Sequence, residues 1–375
     1  METGPELSII VPTFNEADNA AELLRRLDSA LDGVRWEVIF VDDDSSDGTA
    51  DTVRALAASD PRVRLIQRIG RRGLSTACVE GMLSSSAPYL GVMDADLQHD
   101  ETILPQMLAA VRDGGHEIAV GSRHVSGGSV GEWDAERQNI SRLATRLAGL
   151  VIKADLKDPM SGFFLLRREV LHEAVRSLSG IGFKILLDIF ASIDRPLRFV
   201  EIPYTFRERQ AGESKLDSMV AWEYVMMLLD KTLGRYVPVR FIPFAFIGGL
   251  GVFVHMAVLY GVFQGLYGGA EERFVIGQTV ATLVAMTFNF LLNNRLTYRD
   301  RRLRGWAMLR GWLSFTIACS LGALANVGIA TYLFRSEFLG HIGWVMSAVA
   351  GILVGAVWNY AVTSVYTWNK PKPAS

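Results

Sequence analysis

The chain has 375 residues, enough for more than one domain, and its net charge of −2 averages two unlike halves. Up to about Gly234, charged and apolar residues mix in ordinary globular proportion. Beyond it, long windows hold no Asp, Glu, Lys or Arg, which excludes a wholly water-soluble protein.

Leu7–Val11 reads as a first strand and Glu16–Leu31 has helical periodicity. Trp36–Val41 is a second strand, followed by a helix from Thr49. Val63–Gln67, Tyr89–Met93 and Ile118–Val120 complete the strand signals, with helices over Leu74–Ser84 and Thr102–Arg112. Strands alternating with helices predict a mostly parallel sheet covered on both faces. The first turn after a strand, Pro12-Thr13-Phe14-Asn15-Glu16, lacks the glycines of a dinucleotide-binding loop. After the second strand, Asp42-Asp43-Asp44 can accept hydrogen bonds from a base or ribose, whereas Ser46 and Asp47 read as helix caps.

The most informative stretch is Asp94-Ala95-Asp96-Leu97-Gln98-His99, just past the apolar run Tyr89–Met93. Two carboxylates two residues apart at a strand end can converge on one divalent cation. Hard oxygen ligands suit Mg²⁺ or Mn²⁺, ions that commonly also hold a substrate diphosphate. Ligands of open α/β sheets sit at this carboxyl edge. Taken alone, the tripeptide Asp-x-Asp is more often a solvated acidic turn.

Leu216–Val237 carries apolar residues at roughly helical spacing. It is read as an interfacial amphipathic segment, with a helix packed on the soluble domain as the equal alternative. The charge-free windows Phe241–Ala270, Phe274–Asn294, Gly311–Phe334 and Phe338–Asn369 each hold the ~20 apolar residues that cross a ~30 Å hydrocarbon core. Four transmembrane helices are therefore expected. The loop between the second and third windows holds Arg295, Arg299, Arg301, Arg302, Arg304 and Arg310, which places it and both termini in the cytoplasm. No cleavable leader opens the chain, so the amino-terminal domain is expected to stay unexported. Cys78 and Cys319 fall in different domains and form no pair, consistent with a reducing compartment. No nucleic-acid partner is expected, and the oligomeric state is not legible.

The membrane half repeats itself: Phe288-Asn289-Phe290…Thr297-Tyr298 recurs as Trp358-Asn359-Tyr360…Thr367-Trp368 at identical spacing. Two duplicated hairpins account for this. Asn289 and Asn359 would meet a lipid headgroup or make interhelical hydrogen bonds.

Val11-Pro12-Thr13-Phe14-Asn15-Glu16, Val41-Asp42-Asp43-Asp44-Ser45, the Asp94–His99 sextet, Gly121-Ser122-Arg123-His124 and Ser161-Gly162-Phe163 occur in this order. With Gly182-Phe183-Lys184 and Arg209…Gly212-Glu213-Ser214-Lys215-Leu216, they make the chain resemble the family 2 glycosyltransferases of GT-A fold, specifically the polyprenol/dolichol-phosphate mannose synthases. The membrane half resembles a GtrA-like domain. The resemblance implies a GT-A domain over 1–215, interfacial helices over 216–237 and a four-helix membrane domain over 238–375.

It also implies roles. Asp94, Asp96 and Gln98 would bind the Mg²⁺ or Mn²⁺ ion. Pro12, Phe14, Glu16, Asp43, Asp94, Ala95, Asp96, Arg123, Lys184, Arg209 and Lys215 would bind the nucleotide-sugar donor. Arg123, Arg137 and Ser141 would take the acceptor phosphate, Arg137 and Ser141 sharing one helical face. Asp96 and Arg123 would be the catalytic pair. The implied reaction moves mannose from GDP-mannose to a polyprenyl phosphate with inversion. Alternatives are a UDP-glucose-dependent undecaprenyl-phosphate glucosyltransferase, a lipid-sugar carrier and a processive polysaccharide synthase. The Gln-x-x-Arg-Trp motif of such synthases is missing from the sequence. Phe14 departs from the family's usual Tyr, which puts one hydroxyl contact to the donor in doubt.

Overall fold

The computed structural model describes residues 4–131, 135–207, 218–234, 236–266, 274–335 and 343–368. Side chains are described there except at 135–138, 218–219, 264–266, 300, 330–331, 334–335, 343–345 and 348. The chain divides into two compact units, Met1–Arg235 and Tyr236–Ser375.

The first unit is a three-layer α/β/α structure of GT-A type. Strands β1 (Leu7–Thr13), β2 (Trp36–Asp42), β3 (Val63–Gln67), β4 (Tyr89–Val92), β5 (Ile118–Ser122), β6 (Phe164–Arg167) and β7 (Phe199–Pro203) form one sheet in the order β3-β2-β1-β4-β6-β5-β7. All neighbours are parallel except β6, which runs antiparallel to both β4 and β5. Alternate residues feed opposite layers, as the pleat requires. Ile10, Ile39, Val41, Phe164 and Leu166 join one core, while Ile9, Val11, Val38, Phe40 and Leu165 join the other.

Helices α1 (Ala17–Ala30), α2 (Thr49–Ser59), α3 (Leu74–Ser84) and α4 (Leu104–Arg112) connect the early strands as predicted. A 3₁₀ turn over Glu101–Ile103 opens the last of these, with Asp100 capping the Thr102 amide. On α3, a Cβ at Gly81 would come within 2.6 Å of Ile10, so only glycine lets this helix settle so close to the sheet. Helices α5 (Ala135–Ala148), α6 (Arg168–Ala174), α7 (Ile185–Ser192) and α8 (Ser218–Leu233) complete the unit.

Of the two readings of 216–237, the packing of the described residues favours a helix packed on the soluble domain. Tyr224, Met227 and Leu228 of α8 belong to the core of the first unit, and α8 packs on α7. The buried Lys231 ammonium lies 2.6 Å from the wholly buried Asp188 carboxylate, and the Tyr224 hydroxyl donates to the Ala144 carbonyl. Apolar burial plus an internal ion pair makes α8 a structural helix of this domain.

The second unit contains α9 (Phe241–Tyr260), α10 (Phe274–Leu292), α11 (Trp306–Arg335) and α12 (Gly343–Tyr366). All four are long and apolar enough to cross a membrane. Helix α11 begins a turn earlier than the charge-free window, so Arg310 lies in the helix rather than the loop. Helices α9 and α10 pack as one hairpin and α11 and α12 as another, with α10 touching α11 and α9 touching α12. Both hairpins close with the same backbone bond, Tyr298 N–H to Asn293 O and Trp368 N–H to Thr363 O.

Asn289 and Asn359 meet glycines of the partner helix. A Cβ at Gly251 would lie 2.4 Å from Asn289 Oδ1, and one at Gly322 would lie 2.0 Å from Asn359 Oδ1. Neither buried Oδ1 finds a hydrogen-bond donor among the described residues. The carboxamides thus pack closely against glycines of the neighbouring helix.

Candidate active site

Among the described residues, three non-glycine residues adopt the left-handed backbone: Asn15 (φ 57°), Asp44 (φ 59°) and Leu97 (φ 60°). They follow the carboxyl ends of β1, β2 and β4, the three adjacent strands around the switch point of the sheet. Such conformations persist only where surrounding bonds enforce them, and they gather at functional sites. Here the enforcing bonds are visible. Asn15 N–H donates to Ser45 Oγ and Ser46 N–H to Asn15 Oδ1, lacing the first two turns together. Asp47 accepts from the amides of Ala17 and Thr49, which ties the starts of α1 and α2 together, although the N-cap of α2 is Gly48 and neither Ser46 nor Asp47 holds that position.

Pro12 lies within β1, opposite Val41. Phe14 carries the Arg72 guanidinium 4.1 Å above its ring, and Glu16 accepts from the Asn19 carboxamide. Asp43 is buried, and both its oxygens are engaged: Arg68 donates to Oδ1 and Gly73 N–H to Oδ2, each at 2.6 Å. Burial pushes its carboxyl pKa up, against those two donors. Arg68 and the Gly73 amide therefore fix the Asp43 carboxylate just past the end of β2.

After β4, Asp96 is buried and its Oδ1 accepts from the Gln98 amide at 3.2 Å. Gln98 donates from Nε2 to the Arg207 carbonyl, and Arg207 N–H returns to the Gln98 carbonyl. Ala95 is buried beneath the turn. His99 Nε2 lies 3.3 Å from Asp94 Oδ2, and Nδ1 lies 2.9 Å from the Tyr204 hydroxyl. Phe163, Tyr204 and Phe206 box the imidazole. A Cβ on Gly162 would come within 3.0 Å of Asp94 Oδ2, so the Ser161-Gly162-Phe163 loop lies against the same carboxylate. The turn is fixed in shape, with Asp94 the most exposed of its polar groups at 37% of its side chain.

Arg123 follows β5 and forms a buried fork with Asp158. Nε and Nη2 donate to its two oxygens at 2.7 Å, and the Arg123 amide donates to Oδ2. Burial alone would raise the Asp158 pKa, but the Arg123 hydrogen bonds and charge hold it below the usual range. The same pairing raises the Arg123 pKa against its own burial. Lys184, just before α7, donates to the Met160 carbonyl and lies over the Phe183 ring. Ser141 is half-buried on α5. Arg137 lies one turn earlier on that helix, but its side chain is outside the described residues, as are Arg209 and Lys215 altogether.

The fold thus brings Phe14, Asp43, Asp94, Asp96 and Gln98 to one carboxyl edge, with Arg123 next to it at the end of β5. Sequence reasoning missed Arg68, Arg72, Asp158 and Tyr204 as their partners. Asp158 had a local signal, standing three residues before Ser161-Gly162-Phe163. The others had none.

Residues 8–174 match the model of glycosyl transferase family 2, and residues 243–368 match the GtrA/DPMS transmembrane domain. A dolichol-phosphate mannosyltransferase of Pyrococcus furiosus is 35% identical over 97% of this chain and 99% of its own length. The chain belongs to the dolichol-phosphate mannosyltransferase family. Another member, from Saccharomyces cerevisiae, is 37% identical over 60% of this chain and 86% of its own length. Among solved structures, a mannosyl-3-phosphoglycerate synthase from Rubrobacter xylanophilus is 17% identical, covers 62% of this chain and 77% of its own, and superposes with a TM-score of 0.46. Like its relatives in the dolichol-phosphate mannosyltransferase family, this chain is a glycosyltransferase, and its apolar helices make it an integral membrane protein.

Proposed function

We propose that the protein transfers mannose from GDP-mannose to a polyprenyl phosphate, inverting the anomeric centre to give a β-linked polyprenyl phosphate mannose. The observation that carries this is the shaped turn after β4, where Asp94, Asp96 and Gln98 follow a strand end in a full-length relative of dolichol-phosphate mannosyltransferases.

Two carboxylates and a carboxamide are hard oxygen donors. Mg²⁺ and Mn²⁺ sites of this kind use one or two carboxylates together with substrate phosphates. Asp94, Asp96 and the Gln98 side-chain carboxamide oxygen would hold the ion, with His99 orienting Asp94. Such an ion supplies Lewis acidity to the departing nucleotide diphosphate.

The other residues divide the remaining work. Pro12, Phe14, Glu16 and the Arg68-backed Asp43 form the nucleoside side, while Lys184, Arg209 and Lys215 supply positive charge for the donor phosphates. Arg123, Arg137 and Ser141 receive the acceptor phosphate. A lipid phosphate is anionic at neutral pH, so no general base is required. Holding its oxygen in line with the anomeric carbon and balancing charge are the enzyme's tasks. One phosphate oxygen forms the new bond as the bond to the diphosphate breaks and GDP departs.

The arginine-rich loop between α10 and α11 faces the cytoplasm in this reading, as do both termini. A reconstitution with polyprenyl phosphate and competing GDP-mannose and UDP-glucose tests the proposal. Lipid-linked mannose as the main product supports it; turnover of UDP-glucose alone overturns the donor assignment.

A further inference from the structure

At the arginine-rich end of the membrane unit, α11 and the end of α12 enclose a groove of about 550 Å³. Trp306, Arg310 and Ser314, spaced by four residues, line it from one face of α11, and Tyr366 and Thr367 line it from α12. Ser314 Oγ and Thr367 Oγ1 lie 3.0 Å apart. One hydroxyl proton is used in that bond, and the other is left to donate into the groove. Arg310 is exposed and makes no hydrogen bond or ion pair among the described residues. In the adjoining loop Arg299, Arg301, Arg302 and Arg304 are opposed in sequence only by Asp300.

The two hairpins diverge here. Gly251 matches Gly322 and Phe244 matches Phe315, so Ser314 stands opposite Pro243, and Tyr366 stands opposite Leu296. The Ser314 hydroxyl and the Tyr366 ring thus belong to one hairpin and have no counterpart in the other.

We propose that this groove binds a lipid phosphomonoester, the headgroup class of the polyprenyl phosphate acceptor. The assignment rests on the reading of the substrate given above. A guanidinium fork and one free hydroxyl proton offer three donors, which match the three terminal oxygens of a monoester. Bilayer phospholipids and the glycosylated product are diesters with two such oxygens and fit less well. Trp306 and Tyr366, 81% and 75% exposed, provide apolar faces beside the headgroup for the first isoprene units.

The full chain in phosphatidylcholine nanodiscs, labelled with photoactivatable undecaprenyl phosphate and mapped by peptide mass spectrometry, tests this. Labelling of peptides from 303–314 or 361–368 is expected, and Arg310→Gln and Ser314→Ala should each cut it, the former about tenfold as one charge-assisted contact is lost. Both variants should turn over a short, detergent-soluble isoprenyl phosphate as the parent does, which also controls for folding. Should Arg310→Gln fail that control, Ser314→Ala decides. Equal labelling in the variants, or complete displacement by phosphatidylglycerol at the same concentration, overturns the proposal. Labelling is read without turnover, so a different donor sugar leaves this result standing.

Discussion

Tyr298 and Trp368 stack face to face, their ring centroids 4.1 Å apart and their planes within 5° of parallel. They hold matching positions in the two repeats of the membrane unit, so equivalent residues meet where the hairpins join. Trp368 is wholly buried, with Phe290 and Phe315 against it, and its indole N–H donates to Asn294 Oδ1. Trp368→Ala should cost about 3–5 kcal/mol, the usual range for a core aromatic. Thermal unfolding of the full chain in detergent would read this as a clear fall in Tm, and an unchanged Tm would remove the stack from the core.

The paired glycines make a reciprocal prediction. Gly251→Ala drives a methyl into Asn289 and should destabilise by about 1–3 kcal/mol, as overpacking does. Adding Asn289→Ala should restore most of that loss, giving a favourable coupling in the double-mutant cycle. Gly322→Ala with Asn359→Ala should behave alike. Additive losses would deny the contact.

The Arg123–Asp158 fork predicts acid sensitivity. Asp158→Ala leaves a buried guanidinium without its carboxylate and should cost about 3–5 kcal/mol. The Asp158 pKa is depressed in the folded state, so its stabilisation is present above the ordinary carboxylate value near 3.8 and is lost as pH falls through the depressed one. The stability gap between parent and Asp158→Ala should therefore close below about pH 4. A gap that widens there would contradict the assignment.

Asp96→Asn should abolish transfer without altering melting behaviour, and EDTA should do so reversibly. His99→Phe keeps the aromatic box filled but removes the contact to Asp94. It should raise the Mn²⁺ needed for half-maximal activity about 10–100-fold. Activity titrations against Mn²⁺ check both, and full turnover by Asp96→Asn would reduce the motif to a turn.

A chain ending at Arg235 should fold, since α8 is bound into the first unit. It should glycosylate a short soluble isoprenyl phosphate and bind long-chain acceptors more weakly. A folded, nucleotide-binding truncation with no transfer at all would show that the membrane helices complete the site.

Much of this was legible in the sequence because the signals are local. β1 to β5 and their helices announce themselves by apolar runs and periodicity, and the Asp94–Gln98 turn by its place after a strand and by the ordered motifs around it. β6 and β7 are short, and the sequence gives no hint that β6 runs antiparallel between β4 and β5. The partners of the site were equally hidden. Arg68 meets Asp43 across 25 residues, a separation set by the fold and by no motif, and Asp158 meets Arg123 across 35 with only its nearness to Ser161-Gly162-Phe163 to mark it. Helix α8 reads as amphipathic whether its apolar face meets lipid or protein, and only the packing distinguishes them.

The antiparallel insertion of β6 also fixes when the site is built. During synthesis β1 to β4 emerge as a contiguous parallel block, together with the turn bearing Asp94 and Asp96. Its outer edge stays unpaired until Phe164–Arg167 slots in, after β5 has already left the ribosome. The segment that brings Asp158 to Arg123 and Gly162 to Asp94 arrives just ahead of that strand. A nascent chain halted before it carries an open edge of the kind that invites mispairing. In chain order, the strand that closes the sheet and the segment that completes this corner therefore arrive together, after β5.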